Sequence, residues 1–114
     1  MSRFLTVAVR LIAALGLVAS ATLAAAEEPS FTLRIKNHVF EPAELTVPAN
    51  TRIKLVVKNE DPTPEEFESL SLRREKVVKG NSEIVINLGP LAPGRYEYFG
   101  EFNPKTARGA IIVK

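Results

Sequence analysis

From Phe31 onward the apolar residues of this chain fall at every second position, which is the period of a strand and not of a helix. Phe31-Thr-Leu33-Arg-Ile35 sets the pattern, Thr51-Arg-Ile53-Lys-Leu55-Val-Val57 repeats it, and Glu44-Leu45-Thr-Val47 is a shorter piece. Ser82-Glu-Ile84-Val-Ile86-Asn-Leu88, Tyr96-Glu-Tyr98 and Ala110-Ile-Ile-Val113 continue it. Each run is short and bounded by breakers: Pro42, Pro48, Pro62, Pro64, Gly80, Gly89-Pro90, Pro93-Gly94, Pro104 and Gly109. The intervals are too brief for the helices of βαβ crossovers, so the expected fold is an all-β sandwich or small barrel with mainly antiparallel strands. One segment, Pro64-Glu65-Glu66-Phe67-Glu68, is a candidate for a helical turn, with proline and acids where a helix N-terminus tolerates them.

Residues 1–26 read differently. Arg3 and Arg10 precede an apolar stretch that ends in Ala24-Ala25-Ala26, the pattern of a secretory signal peptide. The run from Leu11 to Ala26 is interrupted by Ser20 and Thr22 and falls short of the roughly 20 residues a spanning helix needs, which disfavours an uncleaved anchor. The expected organisation is therefore a signal peptide over residues 1–26 and one domain over residues 27–114. The 15 Lys and Arg of the whole chain fall to 13 once Arg3 and Arg10 are set aside, matching the 13 Asp and Glu. The mature part is thus electrically balanced, and nothing in it argues for nucleic acid or an anionic membrane as partner. The chain has no cysteine, which excludes thiol catalysis, thiolate ligands and redox dithiols. An exported domain without disulfides must be held by its core.

The order of the runs carries a resemblance. Phe31-x-Leu33-x-Ile35, Phe40-x-Pro42-x-x-Leu45-x-Val47-Pro48-Ala49-Asn50-Thr51, Val57-x-Asn59-x-Asp61, Leu91-x-Pro93-Gly94-x-Tyr96-x-Tyr98 and Gly109-Ala-Ile-Ile-Val113 together resemble a cupredoxin, a Greek-key β-sandwich, over nearly the whole of residues 27–114. Tyr96, after the Pro93-Gly94 turn, resembles the tyrosine that pins a Greek-key corner. Glu65-Glu66-Phe67-Glu68-Ser69, Glu75-Lys76-Val77-Val78 and Tyr98-Phe99-Gly100-Glu101-Phe102 are similar to the EfeO-type cupredoxin-like group. That resemblance implies a periplasmic component of bacterial ferrous iron uptake, with a periplasmic iron-binding protein and an iron permease as partners.

A blue-copper centre needs a thiolate and two imidazoles, usually with an axial thioether. By the resemblance, Gly100 stands at the cysteine position and Asn103 at that of the second histidine, and no methionine follows. Glu66 and Glu68 occupy the region of the first histidine, and Met1 is the sole methionine. Type 1 copper is excluded by inventory. Related sequences of the group commonly carry Phe-His-Pro where this chain has Phe102-Asn103-Pro104, and an Asn oxygen is a poor substitute for imidazole.

Four residues make the candidate metal site: His38, Glu66, Glu68 and Glu101, which the resemblance brings to one end of the sandwich. His38 is the sole histidine; it serves either as a ligand or as an exposed residue beside a strand end. In a helical turn Glu65 and Glu68 would share a face, and in an extended segment Glu66 and Glu68 would. A copper or iron ion in such a site would be held mainly by oxygen, with at most one imidazole. Among the aromatics, alternation sends Tyr96 and Tyr98 to one face and Phe99 to the other, which reads as a core pair with loop anchors. Arg73 and Arg74 read as charges on an edge strand.

The function so implied is accessory to Fe2+ uptake; any enzymatic activity would be copper-assisted oxidation of Fe2+, and a binding role is favoured over an enzymatic one. The reading from a different class is a metal-free interaction module of the cell envelope. A copper(I) chaperone lacks its soft ligands, and hydrolysis by Ser69, Ser71 or Ser82 has only His38 as imidazole base, without a spacing signal.

Overall fold

Period-two alternation becomes nine strands over residues 27–114, which are the residues that the computed structural model describes. The expected signal peptide over residues 1–26, with its alternative as an anchor, lies outside the described residues. Among the described residues, no helix is long and apolar enough to cross a membrane. The strands are β1 (Ser30–Lys36), β2 (Val39–Glu41), β3 (Glu44–Val47), β4 (Ile53–Asn59), β5 (Glu65–Ser69), β6 (Arg74–Val78), β7 (Ser82–Leu88), β8 (Gly94–Phe99) and β9 (Arg108–Val113). They form a four-stranded sheet in the order β2-β1-β4-β7 and a five-stranded sheet in the order β3-β9-β8-β5-β6.

Two pairings are parallel, β1 with β4 and β3 with β9, and the others are antiparallel. The sandwich is therefore mixed but mainly antiparallel, as the short connections require. Inward positions of the first sheet supply Leu33, Ile35, Phe40, Ile53, Leu55, Val57, Ile86 and Leu88 to the core. The second sheet meets them with Val47, Phe67, Val78, Tyr98, Ile111 and Val113. Three rings tie the two layers together. Phe40 of the first sheet stands edge-on to Tyr98 of the second, with centroids 4.9 Å apart, and Phe67 lies 5.0 Å from Tyr98 on its own sheet.

Tyr96 donates its hydroxyl to the Ala92 carbonyl at 2.8 Å, four residues upstream, which closes the corner before β8. Tyr98 is buried, Tyr96 packs at the margin of the core, and Phe102 is exposed, so the aromatic run divides much as alternation expects. Arg74 opens β6, which is the free edge of the five-stranded sheet, in keeping with the edge reading.

The segment Pro64–Glu68 corrects the expectation of a helical turn. Residues Glu65–Ser69 are strand β5, paired along their whole length with β6 in the register Glu65↔Val78 to Ser69↔Arg74. Proline and acids at a segment start are compatible with a helix, but a single turn buries little, whereas as a strand the segment pairs along its length with β6, meets β8 at Glu68, and carries Phe67 into the core.

Candidate functional site

The β5 strand presents two sets of acids to two different environments. Its residues alternate, so Glu65, Phe67 and Ser69 turn to the core side while Glu66 and Glu68 turn outward. Antiparallel pairing sets Glu75 of β6 directly opposite Glu68. On the other side, Glu68 pairs with Phe99 of β8, and continuing that register carries Glu101 toward Glu66. Four carboxylates, those of Glu66, Glu68, Glu75 and Glu101, consequently gather with one oxygen of each within 4.8 Å of the others. Glu66 is buried at 3% exposure, Glu68 is half-buried, and Glu75 and Glu101 are exposed.

Like charges directly opposite on neighbouring strands destabilise a sheet, and here they converge. Oε1 of Glu66 is buried without a hydrogen-bond partner. Burial, and then the carboxyls of Glu101, Glu75 and Glu68, push the Glu66 carboxyl up to about 8 from its ordinary 4.5. Ionised carboxylates only accept hydrogen bonds, so the group can be satisfied in two ways: a proton shared among its oxygens, or a cation. An oxygen-only donor set with four negative charges fits a hard or borderline divalent ion.

The same end of the molecule shows why it does not fit a blue-copper ion. A Cβ at Gly100 would lie 2.5 Å from Glu65 Oε1 and 2.9 Å from the Ala107 Cβ, so no side chain can be placed there without displacing both. Glu65 itself is 1% exposed. Its Oε1 accepts the backbone N–H of Glu66 at 2.9 Å and of Phe102 at 3.2 Å, and its Oε2 accepts Asn103 Nδ2 at 2.6 Å. The carboxylate thus lies against both positions at which the resemblance places thiolate and imidazole.

Of the four residues proposed from sequence, the fold brings Glu66, Glu68 and Glu101 together and sets His38 apart. Asn37 and His38 form the two-residue turn between β1 and β2, both with positive φ, 53° and 59°. This is the type I′ geometry that suits the twist of a hairpin, and Asn and His tolerate it better than most side chains. The Asp61 carboxylate accepts the backbone N–H of Asn37 at 2.8 Å and of His38 at 2.9 Å, and lies 3.6 Å from His38 Nδ1. His38 is therefore a turn residue beside Asp61. Asp61→Ala should lower stability by about 1–3 kcal/mol by stranding those two amides, read as a fall in the denaturant midpoint at unchanged slope. Glu75 is the member of the carboxylate group that sequence reasoning missed. Its signal was the hairpin between Glu65–Ser69 and Arg74–Val78, which places Glu75 across from Glu68 once both segments are taken as strands.

Known proteins agree with this architecture. The metal-binding domain of the Cu(I)-exporting P-type ATPase CopA of Streptococcus pneumoniae superposes with a TM-score of 0.66 at 16% identity, covering 75% of this chain and 84% of that one. Auracyanin A, a "blue" copper protein of Chloroflexus aurantiacus, superposes with a TM-score of 0.65 at 15% identity, covering 75% of this chain and 98% of that one. At such identities the likeness is one of fold. An uncharacterized protein of Rickettsia prowazekii (strain Madrid E) is 51% identical over 81 residues, 71% of this chain, and the chain spans 65% of that relative's length. The profile of the cupredoxin-like domain matches residues 8–113, so that with this sandwich and these neighbours the chain belongs to the cupredoxin-like domain family.

Proposed function

We propose that the protein is an exported, periplasmic cupredoxin-like accessory of ferrous iron uptake that holds a divalent cation through the carboxylates of Glu66, Glu68, Glu75 and Glu101. One observation carries the cation: the buried Glu66 carboxylate, whose Oε1 has no hydrogen-bond partner, belongs to a group of four carboxylates with one oxygen of each within 4.8 Å of the others. The iron role rests on the resemblance of Glu65–Ser69, Glu75–Val78 and Tyr98–Phe102 to the EfeO-type group, and Fe2+ would be the substrate. Oxygen ligands suit Fe2+ and accept Cu2+, while they offer nothing to Cu(I). Copper-assisted oxidation would need Cu2+ as the electron acceptor, since the cluster itself consists of carboxylates alone. The residues bind and orient; the half-exposed Phe102, beside Glu101, supports an open approach for a partner such as an iron-binding protein.

Calorimetric titration of the purified protein with Fe2+ under anaerobic conditions, and separately with Cu2+, tests this reading. A single site is expected, weakened at least about tenfold by Glu68→Gln or Glu75→Gln and unchanged by His38→Ala. Equal, weak binding by all four proteins would overturn it and leave a metal-free interaction module on the same scaffold.

A further inference from the structure

The cluster is assembled from the β5–β6 hairpin, which also carries Glu75, and the chain that follows β8, two pieces joined by strand pairing at Glu68↔Phe99 alone. Glu66 and Glu68 sit on β5, whereas Glu101 lies past the end of β8, in the turn of residues 100–107. That turn is closed on itself by the Gly100 N–H to the Ala107 carbonyl at 2.8 Å and the Ala107 N–H to the Asn103 carbonyl at 2.9 Å. Its bonds to β5 run through one side chain. Glu65 takes the Glu66 and Phe102 amides on one oxygen and the Asn103 amide group on the other, and the missing side chain at Gly100 makes the room.

We propose that Glu65 is a positioning residue: its carboxylate ties the 100–107 turn to β5 and so sets Glu101 opposite Glu66 and Glu68, an inference that rests on the cation reading above. It is not itself a ligand. Glu65 stands outside the group of converging oxygens, faces the core side of the strand, and has both oxygens engaged by N–H donors. The space that the resemblance gives to a copper ion is filled here by a carboxylate that joins strand to turn as hydrogen-bond acceptor.

Charge and connection can be separated at this position. In Glu65→Gln, Oε1 can still accept both backbone amides, and the new amide donates to Asn103 once that side chain turns its oxygen inward. In Glu65→Ala the connection is gone. Amide hydrogen exchange and Mn2+ titration followed by NMR line broadening should be run on the wild type, Glu65→Gln, Glu65→Ala and Asn103→Ala. Expected in Glu65→Ala is about tenfold faster exchange at the Phe102 amide and about tenfold or greater loss of Mn2+ affinity, with broadening kept at residues 66–68 and lost at Glu101. Glu65→Gln should stay within about twofold of wild type in both readings. Asn103→Ala, which leaves the strand untouched, should move in the direction of Glu65→Ala and stands in for it if that variant fails to fold. Loss of Mn2+ in Glu65→Gln equal to that in Glu65→Ala would make Glu65 a ligand and overturn the proposal, as would unaltered Phe102 exchange in Glu65→Ala. A wild type that binds no Mn2+ would sink the cation reading alone, because the exchange at Phe102 still reports whether Glu65 holds the turn.

Discussion

Phe67→Ala should lower the unfolding free energy by about 3–5 kcal/mol, the range for removing a fully buried aromatic ring. Phe67 has no exposed surface, and its ring lies 5.0 Å from that of Tyr98 and 6.3 Å, edge-on, from that of Phe40. Those partners come from different sheets, so the ring lies where the two layers close on each other. It is also the one large apolar side chain of β5, whose other inward residues are Glu65 and Ser69. Ser69 is anchored by its hydroxyl to the Glu97 carbonyl at 2.7 Å, and the Glu65 carboxylate by the Glu66 and Phe102 amides it accepts; neither replaces the apolar area that Phe67 removes from water. A small domain has about 5–15 kcal/mol to lose, so the substitution should remove a large fraction of the total. Guanidinium unfolding should show a shifted midpoint with the slope preserved, and Phe67→Leu should recover most of the loss. A change below about 1 kcal/mol in Phe67→Ala would mean that β5 is held by its hydrogen bonds and not by its ring.

That strand also shows where the sequence can be read and where it cannot. β1, β4 and β7 are legible because their inward positions are Leu, Ile and Val, so alternation in hydropathy equals alternation in burial. In β5 the two are decoupled: Glu65 and Ser69 are buried, and the residues facing outward are acids as well, so four polar residues surround one ring. A buried carboxylate is tolerated because three N–H donors meet it, and two of those come from a turn 37 and 38 residues along the chain. Nothing local to Pro64–Ser69 signals such donors. The missing copper ligands, by contrast, are visible as Gly100 and Asn103 in the sequence itself. What replaces them is not, since it requires knowing that Glu65 points inward at that level.

The candidate site divides along the same line. Glu66 and Glu68 share a face in any extended segment, and Glu101 is placed near them by the cupredoxin-like order of strands. Glu75 depends on the β5–β6 register, which is a property of the folded sheet. His38 enters a sequence-based ligand set because it is the sole imidazole, but the two positive φ angles of the Asn37-His38 turn, and Asp61 beneath it, give it a different employment. Asp61 in turn is fixed by Asn59, whose side chain accepts the Asp61 amide at 3.0 Å and donates to the Thr63 and Val78 carbonyls. The Asn59-x-Asp61 pattern is thus a structural clasp between β4, the β1–β2 turn and β6.

Glu66 should make the protein less stable as pH rises from about 4.5 to about 8, the reverse of what a salt-bridged carboxylate does. Its folded pKa is raised to about 8 from 4.5, first by burial and then by the neighbouring carboxyls of Glu101, Glu75 and Glu68. Below 4.5 the group is protonated in both folded and unfolded chains and contributes no pH dependence. Between the two values the unfolded chain releases the proton while the folded one retains it, so the folded state binds more protons and stability falls with pH. The loss accumulates across that window and levels off above it, where both states have released the proton. Glu66→Gln carries no titrating proton and can donate to the neighbouring carboxylates, so it should flatten that part of the profile and gain on the wild type as pH rises. The comparison is best read as the difference between the two unfolding curves across the window, because acids outside the cluster cancel in it and what remains belongs to the four interacting carboxyls. Saturating Mn2+ at pH 8 adds a second axis: it should stabilise the wild type, in which four carboxylates converge, and stabilise Glu66→Gln far less. Parallel pH profiles for the two proteins would show that Glu66 ionises freely in the folded state, and the carboxylate group would then be four solvated acids that happen to be near one another.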